Sequence, residues 1–288
     1  MIRKTLLALA CLAACLVGAG FVGELHRASD SIAILRPVCA IACALGLCVA
    51  RNRGLRLALA GVALLGLVTT GVHGLAQKPG HDLRLYTKNL GYHTTQMSDL
   101  VADIAAAKVD VVMLQEVTAR NAPLLEALQP AFAHQHVCRF SGRIGIALAS
   151  RHPFDGAPLC SESRALLAVP IRRAGQRLWA VSVHIPWPWP YDTAANEQAA
   201  TRVLAGLDGP VVMAGDFNML PWSGRVQRIA DLTETRLAGP MRATLHVKSI
   251  PLPIDLVLAP GGGRIDTRPL FGSDHRGVVA DVSVWGAP

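Results

Sequence analysis

Three long apolar runs open the chain. Thr5 to Gly23 and Leu57 to Ala76 carry no charge, and Ser31 to Ala50 carries only Arg36, near its start. Each is long enough to cross a bilayer as a helix, which needs about 20 residues. Gly and Ala recur in all three, as they do where membrane helices pack closely. The spacing therefore predicts spans at about 5–23, 31–50 and 57–76. Arg36-Pro37 makes the second run the least regular.

The pattern changes after Lys78-Pro79-Gly80. Short apolar or alternating runs now alternate with helical periods. Strands are expected at 83–88, 109–114, 144–150, 165–171, 178–185, 211–214, 254–258 and 277–285. Helices are expected at 96–107, 119–128 and 193–207. Leu100, Val101, Ile104 and Ala105 fall on one face of the first helix. Strands outnumber helices and the two are mixed, which favours a layered α/β sandwich with substantially antiparallel sheets. Two units follow: a membrane segment at 1–80 and a globular domain at 81–288.

Charge sharpens this division. Only 17% of residues are charged, against about 25% in ordinary soluble domains. Residues 1–81 hold eight basic and two acidic residues; the remainder holds twenty and eighteen. The globular part is thus nearly neutral, which argues against a strongly basic nucleic-acid binder. Arg3 and Lys4 precede the first run, and Arg51, Arg53 and Arg56 precede the third. The positive-inside rule places both clusters in the cytoplasm and residue 80 onward outside it. In a bacterial inner membrane, that is the periplasm. Two other readings of the first run stay open: a cleaved leader, or lipidation at Leu12-Ala13-Ala14-Cys15. Cys138 and Cys160, the only cysteines of the globular part, are either two core thiols or a disulfide formed in an oxidising compartment.

Polar residues recur at the ends of the apolar strands: Lys88-Asn89, Gln115-Glu116, His184, Gly215-Asp216-Phe217-Asn218 and Ser273-Asp274-His275. Strand ends meeting at one edge of a sandwich would form a polar cleft. Glu116 is a hard oxygen ligand for Mg²⁺ or Mn²⁺. Asp216 could orient or deprotonate a water. Asn89, Asn218 and His184 are donors suited to phosphate oxygens. Asp274 beside His275 suggests a carboxylate that fixes an imidazole tautomer or binds metal. Each of these residues alone has a plainer reading as a turn, a cap or a solvated strand end. Their order and shared placement point to phosphoester chemistry instead.

These motifs resemble the endonuclease/exonuclease/phosphatase superfamily over Leu83 to Val284. Lys88-Asn89, Asp110 to Glu116, Gly145 to Pro153, Ser182-Val183-His184, Gly215 to Asn218 and Gly272 to His275 carry the likeness. Pro221-Trp222-Ser223 and the apolar helices in front are similar to membrane-anchored bacterial members. The resemblance implies a four-layer α/β sandwich: two packed, mixed, largely antiparallel sheets flanked by helices, behind about three transmembrane helices. It implies Mg²⁺- or Mn²⁺-dependent hydrolysis of a phosphoester by water. Asn89, Glu116 and Asp274 would hold the metal, and His184, Asp216, Asn218, Asp274 and His275 would act on the phosphate and water. Relatives often have Ile-Asp-His or Ile-Asp-Tyr where this chain has Ile254-Asp255-Leu256, but Asp255 is kept. Arg143 and Arg164 are candidates for a cleft arginine.

Ile185-Pro186-Trp187-Pro188-Trp189-Pro190-Tyr191 follows His184. Its aromatics could stack on bases, sit at a lipid interface or pack on the core. With three spans nearby, the interface outranks the bases. The partners expected are the lipid bilayer, through the N-terminal helices, and a phospholipid or nucleic-acid substrate. The rival reading is a catalytically silent scaffold domain on a membrane anchor. Loss of the Glu or of the Asp-His pair would mark it, and neither is lost.

Overall fold

The structure is a computed structural model and describes residues 1–92, 94–140 and 144–285. The apolar N-terminal region folds as helices α1 (Ile2–Ala19), α2 (Ala28–Ile32), α3 (Arg36–Gly46) and α4 (Arg53–Gly71). The second predicted run starts earlier than expected and is jointed. A 3-10 turn at Ala33–Leu35 separates α2 from α3, and Pro37 stands in the first turn of α3, where its missing N–H costs nothing. Asn52 caps α4 by accepting from the Leu55 amide. Small residues let the helices close on one another, with Ala10 against Gly46 and Ala40 against Gly66. Leu6, Leu9, Leu12, Ile41, Leu45, Leu57, Leu64 and Leu67 point outward and are exposed. Three stretches, Ile2–Ala19, Ala28–Gly46 and Arg53–Gly74, are long and apolar enough to cross a membrane.

The rest of the chain builds strands β1 (Leu83–Asn89), β2 (Val111–Val117), β3 (His134–Arg139), β4 (Gly145–Ser150), β5 (Leu159–Cys160), β6 (Leu166–Arg173) and β7 (Gln176–His184). They continue with β8 (Val211–Asp216), β9 (Arg236–Leu237), β10 (Leu245–Val247), β11 (Ile250–Leu252), β12 (Asp255–Ala259), β13 (Gly263–Thr267) and β14 (Val278–Val282). The helices are α5 (Met97–Ala107), α6 (Pro123–Leu128), α7 (Ala194–Ala205) and α8 (Gly224–Leu232). One sheet runs β13-β14-β1-β2-β4-β3 and the other β5-β6-β7-β8-β12-β9, with β10-β11 as a separate hairpin. Among the described residues, β1–β2 and β7–β8 pair in parallel and the other strand pairs are antiparallel.

Period-two alternation explains the layers. Leu83, Leu85, Val111 and Met113 face Leu178, Ala180, Val212, Ala214 and Val257 in one core between the sheets. The alternate residues face outward. Val112 and Leu114 pack under α5 and α6 with Leu100, Ile104, Leu124 and Leu128. Trp179, Val181 and Val183 pack under α7 and α8 with Ala200, Leu204, Val226 and Ile229. The result is the expected four-layer sandwich. Cys138 on β3 and Cys160 on β5 are bonded, with their Cα atoms 5.7 Å apart, so the disulfide staples the facing edges of the two sheets.

Sequence periodicity placed most central strands and missed the edges. β3, β5, β9, β13 and the β10–β11 hairpin were not anticipated, and neither was α8. The helix expected at 119–128 is regular only from Pro123. Residues before Pro123 form turns, and Pro123, which has no N–H to donate, takes the first turn of the helix.

Candidate active site

The inner faces of the two sheets turn from apolar to polar at one end. On β1, Leu83 and Leu85 give way to Thr87 and Asn89. On β7, Leu178 and Ala180 give way to Ser182 and His184. On β8, Val212 and Ala214 lead to Asp216, and β12 begins at Asp255. Gln115 forms the floor, donating to Ser182 Oγ of the opposite sheet at 3.0 Å and to Thr87 Oγ1 at 3.3 Å.

Glu116 should face outward, since Gln115 faces inward. A bulge breaks the β2–β4 register between Leu114 and Val117, and Glu116 adopts φ +56°. This turns its carboxylate into the cleft, 3.3 Å from Asn89 Nδ2 and 3.6 Å from His184 Nε2. Gly215 sits at φ +148° beneath the site, where an added Cβ would lie 2.0 Å from Val183 O. Only glycine lets β7 and β8 approach this closely.

Asp216 is buried and is the hub. Its Oδ2 accepts from Asn89 Nδ2 at 3.0 Å and Asn218 Nδ2 at 3.2 Å, and its Oδ1 accepts from the Asn218 amide at 2.8 Å. Asn89 uses its NH₂ on Asp216 and Glu116, while its Oδ1 accepts from the Gly91 amide at 3.0 Å. In this arrangement Asn89 bridges the two carboxylates.

His275 is buried, with Nδ1 2.8 Å from Asp255 Oδ2 and Nε2 3.9 Å from Asp216 Oδ2. This corrects one expectation. Asp255, twenty residues away in sequence, fixes the imidazole; the adjacent Asp274 is exposed at the cleft mouth. Neighbours along a chain point their side chains apart, so the partner comes from another strand. Ser273 Oγ donates to Asn89 O and accepts from the His275 amide, and Lys88 Nζ donates to His275 O, which ties this loop to β1.

The protonation states are uneven. Burial opposes charge on His275, but Asp255 outweighs it and holds the imidazole up at about 10. Burial pushes His184 down, so it is neutral near pH 7. Burial, then Asp255, pushes Asp216 up to about 6. Burial also raises Glu116, and Asp274 and Asp255 add to this against the pull of Asn89 and His275. Tyr92, which no motif marks, stands near Glu116 and Arg164; burial and Glu116 raise its phenol. Of the two predicted arginines, Arg164 lies near His184 and Tyr92; Arg143 lies outside the described residues.

The donor set suits a divalent cation. Glu116, Asp216, Asp255 and Asp274 converge on few cationic groups, and Asp255 Oδ1 is buried with no hydrogen-bond partner among the described residues. Ligand atoms of Asp216, Asp255 and His275 lie within 4.8 Å of one another.

A two-sheet sandwich with this Asn, Glu, His, Asp-x-Asn and Asp-His end defines a class of phosphoester hydrolases. The endonuclease/exonuclease/phosphatase family model matches residues 88–275, and the chain belongs to that family. The fold is similar to an endonuclease/exonuclease/phosphatase family protein from Leptotrichia buccalis, at TM-score 0.58 and 16% identity over 70% of this chain and 99% of that one. It is also similar to an endonuclease/exonuclease/phosphatase from Beutenbergia cavernae, at TM-score 0.55 and 23% identity over 72% and 73%. Sphingomyelinase C from Streptomyces griseocarneus aligns at TM-score 0.52 and 18% identity over 70% and 99%. No curated protein is matched significantly by sequence. Members of the family hydrolyse phosphoester bonds.

Proposed function

We propose that the protein is a membrane-tethered, Mg²⁺- or Mn²⁺-dependent phosphoester hydrolase whose domain works outside the cytoplasm. The observation that carries the hydrolytic part is the His275–Asp255 pair set against Asp216 at the end of the inter-sheet core. Asp216 orients a water and takes its proton as the water oxygen bonds to phosphorus and the bond to the leaving oxygen breaks. Protonated His275, neutral His184 and Asn218 donate to the non-bridging oxygens, where negative charge concentrates. Glu116 and Asp274 would hold the cation, with Asn89 orienting Glu116. When bound, the cation supplies Lewis-acid polarisation of the phosphoryl group and stabilises the leaving oxygen. Asp216, Asp255 and His275 are the second seat; the His275–Asp255 hydrogen bond and the charge on His275 favour the first.

Substrate class follows from charge and surface. The near-neutral domain disfavours tight, salt-sensitive nucleic-acid binding. Trp187 packs on the core, while Trp189 and Tyr191 are exposed beside the start of the second apolar run. Paired aromatics at the foot of membrane helices suit a lipid–water interface. A phosphoester presented at the bilayer surface is thus favoured over a nucleic acid. Full-length protein in detergent micelles, with Mg²⁺ or Mn²⁺, should cleave sphingomyelin or another phospholipid faster than plasmid DNA. Preferential cleavage of plasmid DNA would reverse the substrate assignment.

A further inference from the structure

The jointed start of the second apolar run does more than lead into a helix. It clasps the two loops that carry the phosphate-contacting residues. Asp30, on α2, is fully buried although it precedes the sandwich by some fifty residues. Its Oδ1 accepts from the Arg225 amide at 2.9 Å, in the first turn of α8, and its Oδ2 accepts from Arg228 Nη2 at 3.3 Å. A carboxylate there satisfies a free N–H and complements the helix dipole. Gly224 makes this approach possible, since a Cβ on it would lie 3.0 Å from Asp30 Oδ1.

Arg225 passes the constraint onward. Its side chain is buried; Nη1 donates to Pro186 O at 2.6 Å and Nη2 to Glu197 at 3.2 Å. Pro186 lies two residues after His184. On the other side, α8 begins six residues after Asn218. The intervening loop is held by the same segment: Trp222 Nε1 donates to Ala33 O at 2.7 Å, and Arg36 Nη1 donates to Trp222 O at 3.0 Å. Leu220 and Trp222 pack with Ala33 and with Ile254, the residue before Asp255.

We propose that Asp30 is a positioning residue for the hydrolytic site, locking the strand ends that present His184, Asp216 and Asn218 to the jointed start of the second apolar run. This rests on the hydrolytic reading above. It makes the N-terminal helices part of the catalytic unit, beyond any tethering role. Removing the carboxylate leaves the buried Arg225 amide without its acceptor and Arg228 with Glu197 alone, and frees both loops.

The test uses full-length protein in detergent micelles, comparing wild type with Asp30→Ala, Asp30→Asn and Arg27→Ala. The last removes only the exposed Arg27–Asp192 pair. Amide hydrogen exchange in segments 185–190 and 217–226 should be about 10-fold faster or more in Asp30→Ala, with β1 and β2 unchanged. On bis(p-nitrophenyl) phosphate at saturating metal, kcat should fall about 10-fold or more with KM nearly unchanged, as expected when reacting groups are misplaced. Arg27→Ala should match wild type in both. Should Asp30→Ala fail to fold, Asp30→Asn is read instead; it keeps an acceptor for Arg225 and should show a smaller change in the same direction. Unchanged exchange, or faster exchange with unchanged kcat in an active protein, overturns the proposal. A wild type inactive on every phosphoester defeats the hydrolytic reading instead, and unchanged exchange would still overturn the clasp on its own.

Discussion

Glu116 concentrates the conflict at the residue scale. A bulge and a positive φ bring its carboxylate to a cleft already holding Asp216, Asp255 and Asp274. Its folded pKa is raised, so the ionised form costs stability at neutral pH, and the cost is relieved as pH falls. Glu116→Gln should therefore melt higher than wild type in EDTA at pH 7, while losing about 100-fold or more in metal-supported turnover. A lower melting temperature in EDTA would argue against the crowding. Asp216 sets the acid limb. It must be anionic to take a proton, and its raised pKa of about 6 places the fall in kcat near that value, above the usual carboxylate range. His275 has the opposite sign: its pairing with Asp255 stabilises the fold fully below the unfolded value near 6.5, and this is lost as pH rises through about 10. A kcat–pH profile checks the first, and stability against pH in Asp255→Asn checks the second.

At the scale of elements, Gly215 is a point where the packing of β7 on β8 and the placing of the site coincide. Gly215→Ala should destabilise by about 1–3 kcal/mol or more, read from denaturant midpoints. The central strands were legible because the near-continuous apolar runs at Val111–Leu114 and Leu178–Val183 mark strands buried on both faces. Edge strands such as His134–Arg139 carry mixed polarity and half-buried faces, so no period marks them. The site was legible for residues that close an apolar strand: Asn89, Glu116, His184, Asp216. Asp255 was passed over as an orienting group because Asp274 stood next to His275, and pairing across strands leaves no local trace. Nor could spacing reveal the bulge at Glu116, or that Asp30 would be buried beneath α8.

At the scale of the molecule, the disulfide bears on both stability and compartment. Cys138–Cys160 joins the facing edges of the sheets across 22 residues. In the loop-entropy picture it contributes about 3 kcal/mol, so Cys138→Ser/Cys160→Ser should unfold at clearly lower denaturant. The bond and the charge pattern of the N-terminal helices are the two grounds for the proposal that the domain works outside the cytoplasm. A C-terminal alkaline phosphatase fusion should accordingly be active and a cytoplasm-only fluorescent fusion dark; the reverse would invert the topology. The most direct test of the whole is turnover of bis(p-nitrophenyl) phosphate by full-length wild type, Glu116→Ala and His275→Ala, each with Mn²⁺, Mg²⁺ or EDTA. Wild type should turn over only with metal, and both variants should fall by about 100-fold or more. Equal, metal-independent rates in all three proteins would contradict a hydrolytic site built on Glu116 and His275.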